Sequence, residues 1–290
     1  MALRFNTVIF DMDGTLLDTL DDLADATNHA LNTYGYEKRT RDEIRSFVGN
    51  GVGLLIRRAL PESADENEYQ KVLEEFKKYY AVHCNDKTGI YDGISELMKK
   101  LKEAGAFIAV VSNKIDSAVQ ELGELYFPEN VDFFIGERAG MKRKPEPDMI
   151  NEVLRASGRG TDKAVYIGDS EVDIQTAVNS GLSGISVSWG FRDRDFLKVK
   201  GAEIIADNTD QVFQVITLDS FAKVFFRLYD RKLCSGEITF SETGMKKDDF
   251  TRLCIDEGYV LPYEEISRLC SRMHLTEFET DLMLSFAEKE

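Results

Sequence analysis

Thr7-Val-Ile-Phe-Asp11-Met-Asp13-Gly-Thr15 changes character midway: its first half is apolar and β-branched, its second polar and flexible. That is how a short buried strand reads when it ends abruptly in a loop. Similar runs recur at Phe107-Ile-Ala-Val-Val-Ser112, Phe133-Phe-Ile-Gly136, Ala164-Val-Tyr-Ile-Gly168 and Gly184-Ile-Ser-Val-Ser188, with Glu203-Ile-Ile-Ala206 as a sixth. Between them Ile94–Ala104, Ser117–Glu124, Pro147–Ser157 and Asp173–Ser180 carry apolar residues at helical spacing. Such alternation predicts an α/β fold, a doubly wound parallel sheet covered by helices on both faces. In sheets of this kind ligands sit beyond the carboxyl ends of the strands.

Working outward from that first strand, about ninety residues separate it from the second. A parallel crossover needs only ~10–12. The excess reads as an inserted helical bundle, with helices over Leu20–Tyr34, Arg41–Val48, Gly53–Ala59 and Glu66–Val82, joined through Leu16–Thr19 and Asp86–Gly89. After about Asp219 the alternation stops and the chain reads as helix Phe221–Arg231, a turn region Ser235–Gly244 and three further helices. The expected organisation is a core of residues 1–17 and 88–218, an α-helical cap of 18–87 and a C-terminal helical accessory domain of 219–290. The apolar positions of the last segment call for burial, by packing on the core or by self-association.

The chain has 290 residues, 43% of them hydrophobic and 30% charged, with 5 prolines and 21 glycines, and these proportions exclude disordered and collagen-like classes. No apolar run approaches the ~18–20 residues of a membrane span. The N-terminus lacks the apolar stretch and cleavage site of a signal peptide, so a cytoplasmic location is expected. The net charge of −16 argues against nucleic acid or an anionic membrane as partner, although a local cationic site still permits a small anion. Cys84, Cys234, Cys254 and Cys270 form no C-x-x-C pair and read as reduced thiols, and His29 and His83 as ordinary helix-surface residues.

Asp11 and Asp13 straddle a strand end, so both carboxylates can converge on one pocket. Two carboxylates in close approach need a compensating cation, which points to a divalent metal. Asp169 and Asp173, in Gly168-Asp-Ser-Glu-Val-Asp173, lie at another strand end, and a four-residue step across a loop-to-helix junction can place both beside one ion. Hard oxygen ligands suit Mg²⁺. Ser112 and Asn113 end the second strand, where a hydroxyl and an amide can bind an oxyanion. Pro145 holds Lys144 just before a helix, where its charge can neutralise carboxylate and phosphate.

These four elements, in this order, resemble the haloacid dehalogenase superfamily over about residues 5–210. Phe47–Leu60 and Trp189-Gly-Phe-Arg192 look like its phosphoglycolate phosphatase branch with a small helical cap. The resemblance implies a phosphatase acting on a small-molecule phosphate ester. Asp11 would attack phosphorus and form an aspartyl-phosphate, while Asp13 protonates the leaving oxygen and then activates water. It also implies that Asp13 reaches the metal through its backbone carbonyl, that Asp173 acts through other ligands, and that Ser112 and backbone N–H groups at Asp13 and Gly14 hold the phosphoryl oxygens. Gly49-Asn50-Gly51 opens a cap helix, and Asn50 with the N–H of Gly51 is expected to meet an anionic substrate, most simply 2-phosphoglycolate. Asp13 argues against dehalogenation, which needs no acid for its leaving group. Val52 and Leu23 stand where the mutases of the superfamily carry arginine and histidine. Pyrophosphatase, nucleotide phosphatase and sugar phosphatase activities share the same core residues and stay open.

Overall fold

The computed structural model describes residues 3–287, so the outermost residues of the expected core and tail segments lie outside the described residues. The strands are β1 (Thr7–Phe10), β2 (Leu17–Asp18), β3 (Gly89–Ile90), β4 (Phe107–Ile115), β5 (Phe133–Glu137), β6 (Ala164–Gly168), β7 (Ser183–Val187) and β8 (Ile205–Ala206). Six of them form one parallel sheet in the order β5-β4-β1-β6-β7-β8. β1 is central, with Val8 opposite Ile108 on one side and Val165 on the other, and all four of its residues are buried. A strand covered on both faces must be apolar throughout, which is why it reads as an unbroken run and not an alternation. Its neighbours are β4 and β6, so Asp11 and Asp169 follow the ends of β1 and β6 while Ser112 lies beside them within β4.

The inserted segment folds as α1 (Leu20–Thr33), α2 (Arg41–Phe47), α3 (Gly51–Ala59) and α4 (Glu66–His83). It has its own apolar core, including Leu31, Ile44, Ile56, Val72 and Phe76. Capping boxes start two of these helices, Thr40 with Glu43 and Asp65 with Glu68. α3 begins two residues earlier than its apolar periodicity predicts, because Gly51, at φ +78°, turns the chain directly into the helix. The two crossings into the core are not independent linkers: Leu17 pairs with Ile90 and Asp18 with Gly89 in an antiparallel ribbon. The histidines of this segment have partners that sequence spacing alone did not reveal. His29 and His83 stack on Tyr79 at 4.0 and 4.2 Å, and their ring nitrogens lie 3.1 Å from Glu75 and 2.8 Å from Asp86.

The sheet is flanked by α5 (Ile94–Glu103), α6 (Asp116–Tyr126), α7 (Asp148–Ser157) and α8 (Glu171–Ser180), and by two helices not anticipated above, α9 (Arg194–Val199) and α10 (Thr209–Thr217). Beyond them come α11 (Phe221–Cys234), α12 (Phe240–Thr243), α13 (Lys247–Ile255), α14 (Tyr263–Arg272) and α15 (Glu277–Leu284). That is one helix more than expected, since Thr239 and Glu242 make a capping box inside the supposed turn region. Phe221, Phe225, Leu228, Ile266 and Leu282 share one continuous apolar core with Val8, Ile108, Val215 and Ile216. The tail therefore packs on the sheet's helical cover. Polar contacts pin the seam: the Arg4 guanidinium lies 3.9 Å from the centre of the Phe286 ring and donates to Ser285 O at 2.8 Å, and Arg194 Nε is 3.0 Å from Glu277. Among the described residues no helix is long and apolar enough to cross a membrane.

Candidate active site

Above the carboxyl end of the sheet, between core and inserted bundle, lies a chamber of about 210 Å³. Asp11, Asp13, Ser112, Asn113, Lys144 and Asp169 line its floor, and Leu23, Val52, Leu55, Phe76 and Tyr80 its cap wall. Sequence reasoning placed the floor residues together from three strands and the loop before α7, and the sheet order brings them there.

Asp11, Asp169 and Asp173 each offer an oxygen within 4.8 Å of the other two, and all three are buried. Facing them is Lys144, whose Nζ is 2.7 Å from Asp11 Oδ1 and 2.9 Å from Asp173 Oδ1. Burial, then the neighbouring Asp173, pushes Asp11 well above the usual carboxylate range, and the same two causes bring Asp169 up to about 7. Burial alone would lower the Lys144 ammonium, but Asp11 and Asp173 outweigh it and raise it. Three carboxylates against one ammonium leave an excess of two negative charges, which is the charge of a divalent cation, and all-oxygen donors suit a hard one.

The members of the trio are not equivalent. Asp173 accepts from Lys144, from Tyr166 Oη at 3.1 Å and, through Oδ2, from Ser170 N and Oγ at 3.1 and 2.6 Å. Its oxygens are occupied, so it acts by holding Lys144 and shaping the loop. Asp169 accepts from Thr15 Oγ1 at 3.3 Å and from Phe191 N at 2.5 Å. Backbone approaches it closely: a Cβ on Gly14 or on Gly190 would come within 2.4 Å of its Oδ2.

The Asp13 carboxylate stands apart from the trio. Its Oδ2 accepts from Ser112 Oγ at 3.4 Å, and its Oδ1 pairs with Lys114 Nζ at 3.1 Å. Lys114 was not singled out in the sequence; the signal was there, a lysine immediately after Ser112-Asn113 on a strand that runs to Ile115 instead of stopping at Ser112. Tyr166 and Tyr80 were missed for a plainer reason: each sits in an apolar pattern and reads as core.

Two expected phosphate-binding groups are engaged elsewhere. The Gly14 N–H donates to Leu17 O at 2.8 Å, closing the turn after β1, and so does not face the chamber as a free donor. Asn113 lies in the crevice, but both atoms of its amide clasp the Lys144 backbone, Nδ2 to O at 3.0 Å and Oδ1 from N at 2.8 Å. Its work is to fix the loop that carries Lys144. On the cap side Gly49 and Gly51 line the chamber whereas Asn50 does not, and Gly51 lies close to the Arg143 guanidinium.

A sequence model of the haloacid dehalogenase-like hydrolases matches residues 8–187. The phosphoglycolate phosphatases of Vibrio parahaemolyticus and Mesorhizobium japonicum are 29% and 30% identical, over 73% and 69% of this chain and 96% and 89% of theirs. Among solved structures, a chain from Lactobacillus delbrueckii subsp. bulgaricus bearing a provisional phosphoglycolate phosphatase name aligns with a TM-score of 0.71 at 43% identity, over 73% of this chain and 98% of that one.

Proposed function

The chain belongs to the haloacid dehalogenase-like hydrolase family and is a phosphatase, and from that premise we propose that it hydrolyses a small phosphate monoester with Mg²⁺ through an aspartyl-phosphate on Asp11. The observation that carries the proposal is the division of labour between two aspartates one residue apart. Asp11 sits with Asp169 and Asp173 against Lys144, and Asp13 points instead to Ser112 and Lys114.

A carboxylate is a weak nucleophile toward a phosphate dianion, so its environment must cancel charge. Lys144, 2.7 Å from Asp11, does part of this and fixes the carboxylate's orientation. Asp11, Asp169 and the backbone carbonyl of Asp13 would hold Mg²⁺, which supplies charge neutralisation and orients the phosphoryl oxygens. On substrate binding the Ser112 hydroxyl would turn from Asp13 Oδ2 to those oxygens, joined by the Asp13 N–H. Asp13, free of the acidic trio, gives its proton to the leaving oxygen and then takes one from the water that attacks the acyl-phosphate. Positioning and electrostatics supply most of the rate in chemistry of this kind.

The finer reading of substrate is 2-phosphoglycolate, supported by the names of the relatives. A panel of phosphate esters assayed with Mg²⁺ and with chelator tests both levels. Mg²⁺-dependent turnover with the best kcat/KM on phosphoglycolate is expected, and a clear preference for hexose phosphates or pyrophosphate rejects that substrate. Asp11→Asn should lower kcat by several orders of magnitude with the fold retained. Near wild-type turnover in that variant would overturn the covalent mechanism.

A further inference from the structure

Resting on the phosphatase reading above, we infer that Lys114 and Tyr80 form a carboxylate-binding pair that selects esters with an acidic leaving group. Lys114 extends from the end of β4, and its side chain is only 7% exposed. Tyr80 comes from α4 in the inserted bundle and is also buried. Lys114 Nζ donates to Tyr80 Oη at 2.7 Å, lies 4.7 Å from the centre of the Tyr80 ring, and faces Asp13 at 3.1 Å.

The donors left over make the case. An ammonium carries three hydrogens; Lys114 donates one to Tyr80, and its contact with Asp13 Oδ1 is an ion pair without hydrogen-bond geometry. Having accepted from Lys114, the Tyr80 hydroxyl keeps its own hydrogen, and burial pushes that phenol up to about 12, so it stays a donor. Lys114 meets Asp13 at 3.1 Å and Tyr80 at 2.7 Å, which fixes its ammonium at this corner of the chamber. Two donors therefore converge beside the group that protonates the leaving oxygen, where the rest of the ester must lie.

The other cations of the chamber are committed. Lys144 is held between Asp11 and Asp173, and Lys77 stands half-exposed with Glu74 at 2.7 Å. The cap wall is otherwise apolar, and Glu121 and Glu137 lie exposed at the rim. Among the cationic side chains lining the chamber, Lys114 is the one placed beside Asp13 to meet a carboxylate one methylene from the ester oxygen, with Tyr80 next to it. Because Tyr80 belongs to the cap and Lys114 to the core, the pair exists only with the two packed together.

The test compares 2-phosphoglycolate with its uncharged counterpart, 2-hydroxyethyl phosphate, using the full chain with Mg²⁺. The wild type should prefer the acid. In Lys114→Met the ratio of the two kcat/KM values should fall on the order of 30-fold, the loss expected from one charged hydrogen bond. Tyr80→Phe should reduce it several-fold in the same direction. If Lys114 serves only to hold Asp13, both substrates lose rate by one factor and the ratio stays fixed, which overturns the inference. Should Lys114→Met not fold, Lys114→Gln keeps a polar side chain without the charge.

A binding measurement separates this inference from the chemistry it rests on. Calorimetry with the unreactive 3-phosphonopropionate and propylphosphonate should show tighter binding of the acid by wild type and equal binding by Lys114→Met. Wild type that hydrolyses neither ester but shows this difference retains the carboxylate site and loses the hydrolytic proposal. Wild type that hydrolyses both with no preference for the acid loses the carboxylate site alone.

Discussion

At the scale of single residues, the site depends on how closely backbone can approach carboxylate. Gly14 has φ +85°, a conformation that costs a side-chain-bearing residue about 1 kcal/mol or more, and Asp169 fills the space its Cβ would take. Gly190 is confined by the same aspartate and by the carbonyl of Gly14. Gly14→Ala should therefore displace Asp169 and raise the Mg²⁺ concentration for half-maximal activity by about tenfold or more, the scale seen when support for a metal ligand is lost. An unchanged Mg²⁺ requirement would remove Asp169 from the proposed ligands. The glycine's part in the turn was legible in the sequence, but the aspartate that forbids a Cβ there lies more than 150 residues away and only the fold brings it near.

At the scale of elements, core and cap hold each other through a reciprocal pair of arginines. Arg192, from the loop after β7, donates to the carbonyls of Arg45 and Val48 at 2.8 and 2.7 Å, at the end of α2, and pairs with Glu171 at 3.0 Å. In return Arg45 donates to Gly190 O at 2.7 Å. A guanidinium at a helix C-terminus satisfies carbonyls that have no partner within the helix. Asp22 ties the base of the cap, accepting from the backbone N–H of Lys87 and Thr88 at 3.0 and 2.9 Å. We propose that the bundle swings about the β2–β3 ribbon during turnover, with the arginine clasp holding the closed form and excluding water from the site. Arg192→Ala should raise KM and widen the cap–core arrangement in solution scattering, while a phosphate analogue restores compactness. Identical scattering of variant and wild type, with and without the analogue, would count against a moving cap.

At the scale of the whole molecule, the segment after Asp219 is an extra layer that the family match, ending at residue 187, does not include. Among the described residues it brings no side chain to the chamber. Its apolar residues share one core with Val212, Val215 and Ile216, and α15 packs against β8, so a chain ending at Leu218 would expose part of that core. Such a truncation should aggregate or lose thermal stability, and whatever fraction stays folded should keep its chemical step. A folded truncation with normal Mg²⁺ binding but no turnover would show that the tail completes the site. The seam also carries a pH dependence. Burial, then Glu277, raises Asp281 from 3.8 to about 6. A carboxyl whose folded value is raised favours folding at low pH and loses that contribution as pH rises through the folded value. Asp281→Asn should thus leave stability unchanged near pH 4 and increase it by about 1 kcal/mol above pH 6, after allowance for partial exposure. Equal melting shifts at pH 4 and 7.5 would contradict this.

Local pattern was enough for the sheet, the insertion and the identity of Asp11, Asp13, Ser112, Lys144, Asp169 and Asp173 as a group. Buried parallel strands must be apolar, strand ends must break, and clustered carboxylates must have a cation, so each requirement writes itself into a few adjacent residues. Helix α9 buries only Leu197 and so has no clear period, whereas α10 carries Val212, Val215 and Ile216 at helical spacing and was legible from that pattern. What each polar atom does depends on contacts across the chain. Nothing near Asn113 indicates that its amide is spent on Lys144, and nothing near Gly14 that its N–H closes a turn onto Leu17. The pairing of Lys114 with Tyr80 joins two domains across 34 residues. Sequence determines which side chains are available to one pocket, whereas the packing of strands and cap decides which of their donors and charges remain free, since each polar group can be spent only once.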